Sequence, residues 1–187
     1  MSGERVAGRR LWFAGIGGAG LSAYALVARA WGAEVGGWDR NDTPYLEPLR
    51  AAGVRVVVSP EPEPAPPGWE TIVSSAYTGQ VGGTPRAELI ADLVASRPSI
   101  VVAGAHGKTT TTSMIAWVLR ETGRDPAFIV GGIVPQLGGN AGAGQGWLVC
   151  EGDESDRSLE ALAPQVAVVL NVDLDHHTEF ASLAEVE

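Results

Sequence analysis

The sequence of 187 residues predicts an α/β fold made of two units, each built on a parallel sheet. Apolar, β-branched runs alternate with helical stretches, which is typical of strands that are joined by helices. At two places, after residues 10–14 and after residues 99–102, a strand leads directly into a glycine-rich turn and a helix. Pro98 interrupts the chain before the second of these strands, so we expect the units to comprise residues 1–97 and 98–187.

The first glycine-rich turn contains a complete Gly-x-Gly-x-x-Gly pattern, followed by a helix at 21–31 and a second strand at 34–38. This order predicts a Rossmann-like domain that binds a pyrophosphate at the helix N-terminus. The residues expected to contact this ligand are Gly15, Gly17, Gly18, Ala19, Gly20 and Asp39. Asp39 would accept hydrogen bonds from a ribose or mark the edge of the site. The pattern does not distinguish NAD from a UDP-sugar, and a turn whose glycines serve packing alone is the alternative.

The second turn places a Gly-Lys-Thr sequence at the start of a helix. Lys108 is the only lysine among the 13 basic residues, which indicates a need for a compact ammonium group here. The strict phosphate-loop pattern is missed, because Val102 stands where its first glycine is expected. The context still favours a phosphate cradle over a loop with an incidental lysine. The residues expected to form it are Gly104, Ala105, His106, Gly107, Lys108, Thr109 and Thr110.

Two further strands deliver polar residues to the same edge of the second sheet. Glu151 follows an apolar strand at once, and His176 lies a few residues beyond the next one. The carboxyl ends of strands line the ligand crevice of an open parallel sheet, so both residues are expected near Lys108. The Thr109 hydroxyl and the Glu151 carboxylate suit Mg²⁺, whereas histidine is an unusual ligand for this ion. An acidic turn that caps a helix is the alternative for residues 151–156.

Three other segments predict local structure without chemistry. Residues 1–9 are expected to form a loosely ordered leader, and the proline-rich residues 59–67 a stiff surface loop. Residues 131–146, which contain seven glycines, are expected to be a flexible stretch after a short strand at 127–130.

Composition and charge exclude several classes of protein. The net charge of −9 and the pI of about 4.8 argue against a nucleic-acid partner. No apolar run approaches the length of a membrane span, and no signal-peptide pattern precedes the first strand. The single cysteine cannot form an internal disulfide. Together these features predict a cytoplasmic protein.

Four motifs, taken in order, resemble the Mur ligase family of peptidoglycan synthesis. They are Gly15–Ser22, Ala103–Thr112, Glu151–Asp156 and Asn171–His176. The resemblance covers nearly the whole chain, and the first motif is similar to that of the alanine-adding branch. It implies a Rossmann-like N-terminal domain that binds the UDP part of UDP-N-acetylmuramate, followed by a central P-loop domain that binds Mg²⁺ and ATP.

The resemblance also implies a reaction, in which ATP phosphorylates the lactyl carboxylate of UDP-N-acetylmuramate and the amine of L-alanine attacks the acyl phosphate. By the resemblance, Lys108 contacts the ATP phosphates, Thr109 and Glu151 serve the metal, and His176 ligates a second Mg²⁺. Lys108, Glu151 and His176 are therefore the expected catalytic residues.

The chain departs from the family pattern in a few places. Ala105 replaces a usual threonine, Gly152 replaces a common alanine, and Trp38 stands where a small residue is frequent. The chain ends at Glu187, soon after the histidine motif. We therefore expect a truncated central domain, no C-terminal domain with its L-alanine site, and no efficient ligation.

Two other classes of function stay open at this point. One is a non-catalytic module that binds a UDP-sugar or forms a homodimer through an exposed sheet edge. The other is an NAD-dependent oxidoreductase, which the first glycine-rich turn allows but which leaves the second turn unexplained.

Overall fold

The structure is a computed structural model that describes residues 5–153 and 158–173. Two five-stranded sheets confirm the predicted α/β fold. The first sheet is wholly parallel and has the order β3-β2-β1-β4-β5. Its strands are β1 (Arg10–Ala14), β2 (Glu34–Asp39), β3 (Arg55–Val58), β4 (Glu70–Val73) and β5 (Thr84–Pro85). Its helices are α1 (Ala19–Ala30), α2 (Leu46–Ala51) and α3 (Arg86–Ser96).

The two faces of the first sheet are covered differently. The helices pack on the face that carries Leu11, Phe13 and Ile72. On the other face, Trp12 and Trp38 are buried beneath the proline-rich loop and its aromatic neighbours. Carbonyl groups of the loop accept hydrogen bonds from both indole N–H groups, so neither buried N–H lacks a partner. Trp12 Nε1 donates to the Glu63 carbonyl at 3.0 Å, and Trp38 Nε1 donates to the Ser59 carbonyl at 3.0 Å. The predicted surface loop therefore also covers one face of the first sheet, a role that its polar composition did not indicate.

The second sheet has the order β10-β6-β9-β7-β8, and only β8 runs antiparallel to its neighbour. Its strands are β6 (Ser99–Ala103), β7 (Ala127–Val134), β8 (Gly139–Ala143), β9 (Leu148–Glu151) and β10 (Val166–Val169), and its helix is α4 (Lys108–Glu121). The prediction of a flexible stretch at 131–146 is wrong, since β7 continues to Val134 and pairs with β8. Side chains at several of these glycines would collide with neighbours; a Cβ on Gly142 would meet the Phe128 ring. Close packing explains the glycines at 142, 144 and 146, and a left-handed φ of 84° explains Gly138.

Helix α1 joins the two sheets into one core. Its residues Ala23, Tyr24 and Val27 belong to the same buried cluster as Ile129 and Cys150 of the second sheet. A buried polar contact strengthens the junction, because Asn140 Nδ2 donates to the Ala19 carbonyl at 2.7 Å and to Ser22 Oγ at 3.1 Å. The two glycine-rich turns are therefore held in a defined mutual position.

The start of the described chain is anchored, so the prediction of a loose leader is wrong for residues 5–9. Val6 is fully buried, and Arg9 forms ion pairs with Glu70 at 2.6 Å and with Asp92 at 2.8 Å. Tertiary partners that are distant in sequence order a segment whose own composition is polar.

Within residues 5–153 and 158–173, no helix is both long enough and apolar enough to span a membrane.

Candidate nucleotide-binding cleft

The first glycine-rich turn connects β1 to the N-terminus of α1. Gly15 has a φ of 91°, and its N–H donates to the Trp38 carbonyl at 2.8 Å. A Cβ on Gly15 would lie 2.8 Å from both Ser74 Oγ and the Tyr77 ring, so only glycine fits. Gly18 caps α1 with its backbone alone, and the first turn of the helix contains no acidic residue. The helix N-terminus thus presents backbone N–H groups and a positive partial charge suited to an anion.

Asp39 is built into this turn. Asp39 as a whole is 6% exposed, and its Oδ2 accepts the Gly17 N–H at 2.8 Å while Oδ1 accepts the Asn41 N–H at 3.0 Å. Gly17 is pressed against it, since a Cβ there would lie 2.9 Å from Asp39 Oδ2. The structure therefore gives Asp39 the role of holding the turn closed, and a contact with a ribose stays a prediction.

The second glycine-rich turn connects β6 to α4. Gly107 caps the helix with a φ of 89°, a conformation that favours glycine. Lys108 is the first residue of α4, and its Nζ donates to the Gly104 carbonyl at 2.6 Å, which holds the ammonium group over the turn. Strand, turn, helix and lysine thus have the arrangement that the sequence predicts for a phosphate cradle.

Asn171 fastens the second turn from the neighbouring strand. Its Oδ1 accepts the His106 N–H at 2.9 Å, and its Nδ2 donates to the His106 carbonyl at 2.9 Å. Gly104 allows this approach, since a Cβ there would lie 3.0 Å from the Asn171 carbonyl oxygen. Sequence reasoning placed Asn171 in a motif but gave it no role, because only the pairing of β10 with β6 brings it to the turn.

Glu151 and Thr109 meet at the carboxyl edge of the second sheet. Glu151 Oε2 accepts a hydrogen bond from Thr109 Oγ1 at 3.3 Å, and Oε1 accepts the Gly131 N–H at 2.7 Å. The described residues contain no group of three or more carboxylate, histidine or cysteine side chains that could hold a metal by themselves. One carboxylate and one hydroxyl are hard oxygen donors, and they fit Mg²⁺ that takes its other ligands from phosphates and water. The predicted ligand His176 lies outside the described residues.

The two turns open onto one cleft of about 430 Å³. The residues that line it are Gly20, Tyr24, Arg86, Ala105, Lys108, Ile129, Val130, Gly131, Glu151 and Asp153. Gly20 is the second residue of α1, whereas Lys108 begins α4 and Glu151 ends β9 of the second sheet. Sequence reasoning missed Tyr24 and Arg86, because neither belongs to a recognisable motif and the packing of α1 and α3 alone directs them here.

A larger groove of about 570 Å³ lies beside the second turn and is mainly apolar. It runs between the outer face of α4 and residues 133–137. Met114, Val118 and Ile133 are each more than half exposed there. The polar groups at one end of this groove include Thr109 and Thr110 of the phosphate cradle.

Cys150 immediately precedes Glu151 but faces the core. Burial, together with the charge of Glu151, raises the pKa of the thiol to about 12. The thiol is therefore protonated at neutral pH, and it packs in the core rather than acting as a nucleophile.

Each sheet contributes a glycine-rich turn that leads into a helix, and Lys108, Glu151 and Thr109 lie beside the second turn. This arrangement is typical of nucleotide-binding α/β proteins. A family model described as the Mur ligase family, catalytic domain, matches residues 3–97, and one described as the Mur ligase middle domain matches residues 102–187. The chain belongs to the Mur ligase family, as the motifs indicate.

Relatives of known name agree. A UDP-N-acetylmuramate–L-alanine ligase of Rubrobacter xylanophilus is 41% identical over an alignment of 184 positions, which covers 92% of this chain and 41% of that protein. One of Xylella fastidiosa is 44% identical over an alignment of 180 positions, which covers 89% of this chain and 38% of that protein. The chain thus spans about two fifths of the length of these curated relatives.

Solved structures show the same fold. The UDP-N-acetylmuramate-alanine ligase of Thermotoga maritima superposes with a TM-score of 0.83 at 29% identity, over 95% of this chain and 45% of that one. The UDP-N-acetylmuramate:L-alanyl-gamma-D-glutamyl-meso-diaminopimelate ligase of Neisseria meningitides superposes with a TM-score of 0.76 at 25% identity, over 95% and 65%. Membership of this family overturns the alternative of an NAD-dependent oxidoreductase.

Proposed function

We propose that this chain carries the nucleotide-sugar and ATP-phosphate sites of an enzyme that joins L-alanine to the lactyl carboxylate of UDP-N-acetylmuramate. The observation that carries the proposal is the single cleft between the N-terminus of α1 and the second turn. A substrate that is bound by its UDP group at the first turn could place its lactyl carboxylate beside a phosphate of ATP at the second. The names of the relatives supply the substrates.

In the proposed reaction, the first turn binds the diphosphate of the UDP-sugar at the N-terminus of α1. Gly15, Gly17, Gly18, Ala19 and Gly20 form this site, and Asp39 holds its shape. Residues 104–110 bind the phosphates of ATP, and the Lys108 ammonium group stabilises the negative charge of the group being transferred. The lactyl carboxylate attacks the γ-phosphorus, and ADP leaves as the bond to the bridging oxygen breaks. The amine of L-alanine then attacks the carbonyl carbon of the acyl phosphate, phosphate leaves, and the nitrogen gives up a proton as the amide forms.

Thr109 and Glu151 would hold Mg²⁺ at the second turn. When bound, this ion neutralises charge on the phosphates. The Gly131 N–H orients the Glu151 carboxylate before any ligand arrives, since it engages Oε1 and leaves Oε2 directed at Thr109. His176 as a ligand of a second Mg²⁺ stays a proposal from the family resemblance alone.

The same proposal covers the organisation and location of the protein. Residues 1–97 form the nucleotide-sugar domain and residues 98–187 belong to the ATP-binding domain, in line with the two sheets and the two family models. We place the reaction in the cytoplasm, where ATP is available and the unpaired thiol of Cys150 stays reduced. A homodimer through an exposed sheet edge stays a prediction, which light scattering tests.

Calorimetric titration with UDP-N-acetylmuramate, with NADH as the control, tests the first site. We expect saturable binding of the UDP-sugar alone. Gly15→Ala should abolish this binding, whereas Gly53→Ala should not, although Gly53 also has a positive φ of 73° and has open space around it. Equal binding by the two variants, or no binding by the unaltered chain, would contradict the proposed site.

A further inference from the structure

An ion pair crosses the cleft between the two turns. Arg86 Nη2 lies 2.5 Å from Asp153 Oδ2, and the two side chains are 16% and 34% exposed. Arg86 begins α3, which packs on the first sheet, and Asp153 follows β9 of the second sheet by two residues. The pair therefore connects the parts of the chain that carry the two proposed sites.

The arginine end of the pair touches the first turn. A Cβ on Gly20 would lie 3.3 Å from Arg86 Nη1, so the guanidinium lies against the N-terminus of α1. A cation is unfavourable beside the positive end of a helix, and the carboxylate of Asp153 offsets this repulsion. An anion bound at the same helix end would offset it as well, and would stabilise Arg86 in its present place.

The aspartate end of the pair is linked rigidly to the second turn. Gly152 separates Asp153 from Glu151, and its N–H donates to the Val102 carbonyl at 2.9 Å. A Cβ on Gly152 would lie 2.5 Å from Leu159 Cδ1 and 2.9 Å from Val101 Cγ1, so the backbone here is packed closely against both neighbours. Because of this anchoring, a shift of Asp153 would also move Glu151, whose carboxylate accepts the hydrogen bond from Thr109.

We propose that Arg86 and Asp153 are positioning residues that couple the two sites. The inference rests on the proposed function, since it takes the first ligand to be a nucleotide-sugar diphosphate and the second to be the phosphates of ATP. A diphosphate at α1 holds Arg86 in place, Arg86 holds Asp153, and Asp153 keeps Glu151 oriented toward Thr109. Each ligand therefore tightens the binding of the other, by the same factor in both directions.

The test is calorimetry on the 187-residue chain with UDP-N-acetylmuramate and with the magnesium complex of a non-hydrolysable ATP analogue. Each ligand is titrated alone and then in the presence of a saturating amount of the other. We expect the affinity for the analogue to rise at least about fivefold when the UDP-sugar is bound, which is the lower end of ordinary coupling between sites.

The variants Arg86→Gln and Asp153→Asn should each bring this factor close to one, and the double variant should lose nothing more. Arg86→Lys keeps the cation and should retain a factor above that of Arg86→Gln. Arg50→Gln is the matched control, because it removes an arginine from an ion pair that does not line the cleft. Arg50 pairs with Asp42 at a distance of 2.9 Å. Asp153→Asn is nearly isosteric and preserves the test if Arg86→Gln does not fold.

The outcomes separate the two proposals. Coupling that is lost in both cleft variants and kept in the control supports the positioning role. If both ligands bind the unaltered chain but show no coupling, or if the cleft variants retain it, the positioning role is refuted while the proposed function stands. If neither ligand binds the unaltered chain, both proposals are overturned.

Discussion

The buried carboxylate of Asp39 offers the sharpest test of how the first turn is built. Its two oxygens accept N–H groups of Gly17 and Asn41 at 2.8 and 3.0 Å, and only 6% of the residue is exposed. Asp39→Asn keeps one acceptor oxygen but replaces the other with an NH₂ group that faces an N–H donor. One buried N–H then loses its partner, and the other loses a charged acceptor.

The expected cost follows from these two losses. An unsatisfied buried N–H costs about 1–3 kcal/mol, and a hydrogen bond to a charged group contributes about 1 kcal/mol more than a neutral one. The free energy of unfolding should therefore fall by about 2–4 kcal/mol, which corresponds to a decrease in Tm of about 4–16 °C for a chain of this size.

Urea unfolding followed by circular dichroism measures this change, and Asp42→Asn provides the matched control. The Asp42 side chain is 63% exposed and pairs with Arg50, so its loss should change stability by less than about 0.5 kcal/mol. Equal stability of the two variants would refute the structural role of Asp39. A variant of normal stability with weakened binding of UDP-N-acetylmuramate would instead support the sequence-based prediction of a ribose contact.

Three further predictions concern the second sheet. Lys108→Ala should weaken binding of a Mg–ATP analogue by about 10- to 150-fold, because it removes a charge-assisted contact of about 1.5–3 kcal/mol. Unchanged affinity in calorimetry would contradict the proposal that this turn binds the phosphates of ATP. Asn171→Ala should lower the unfolding free energy by about 1–2 kcal/mol and weaken the same binding, since two hydrogen bonds to His106 disappear. An equally tight nucleotide complex would show that the cradle keeps its shape unaided.

The last of the three concerns pH. Burial raises the pKa of Cys150 from 9.0 to about 12, so the unfolded thiol ionises first and stability should fall as pH rises above about 9. In Cys150→Ala, the slope between pH 9 and 12 should be shallower by up to about 1.4 kcal/mol per pH unit. Identical slopes in urea titrations would disprove this assignment.

The sequence predicted the elements of this fold well where local signals were strong. The strand at 10–14 has the expected bounds, and the strand predicted at 34–38 extends one residue further, because apolar runs mark both. Both glycine-rich turns lie between a strand and a helix as expected, since their spacing encodes a local conformation. Fold class and family were therefore accessible from the chain alone.

The sequence-based predictions were wrong where contacts between residues distant in sequence determine the local structure. Residues 131–146 looked flexible because of their glycines, but β7 and β8 pair there, and tight packing against Phe128 and residues 124–126 excludes larger side chains at positions 142, 144 and 146. Residues 5–9 looked loose because of their polarity, but Arg9 finds partners 61 and 83 positions away. No local pattern contains this information.

The candidate site divides in the same way. The sequence by itself identified Lys108, Thr109 and Glu151, because phosphate and magnesium chemistry requires particular groups at the ends of strands. Only the tertiary structure showed that Asp39 closes the first turn and that Arg86 reaches Asp153 across the cleft. The physical reason is that motifs record which groups the chemistry needs, whereas the positions of those groups depend on how α1 packs between the two sheets.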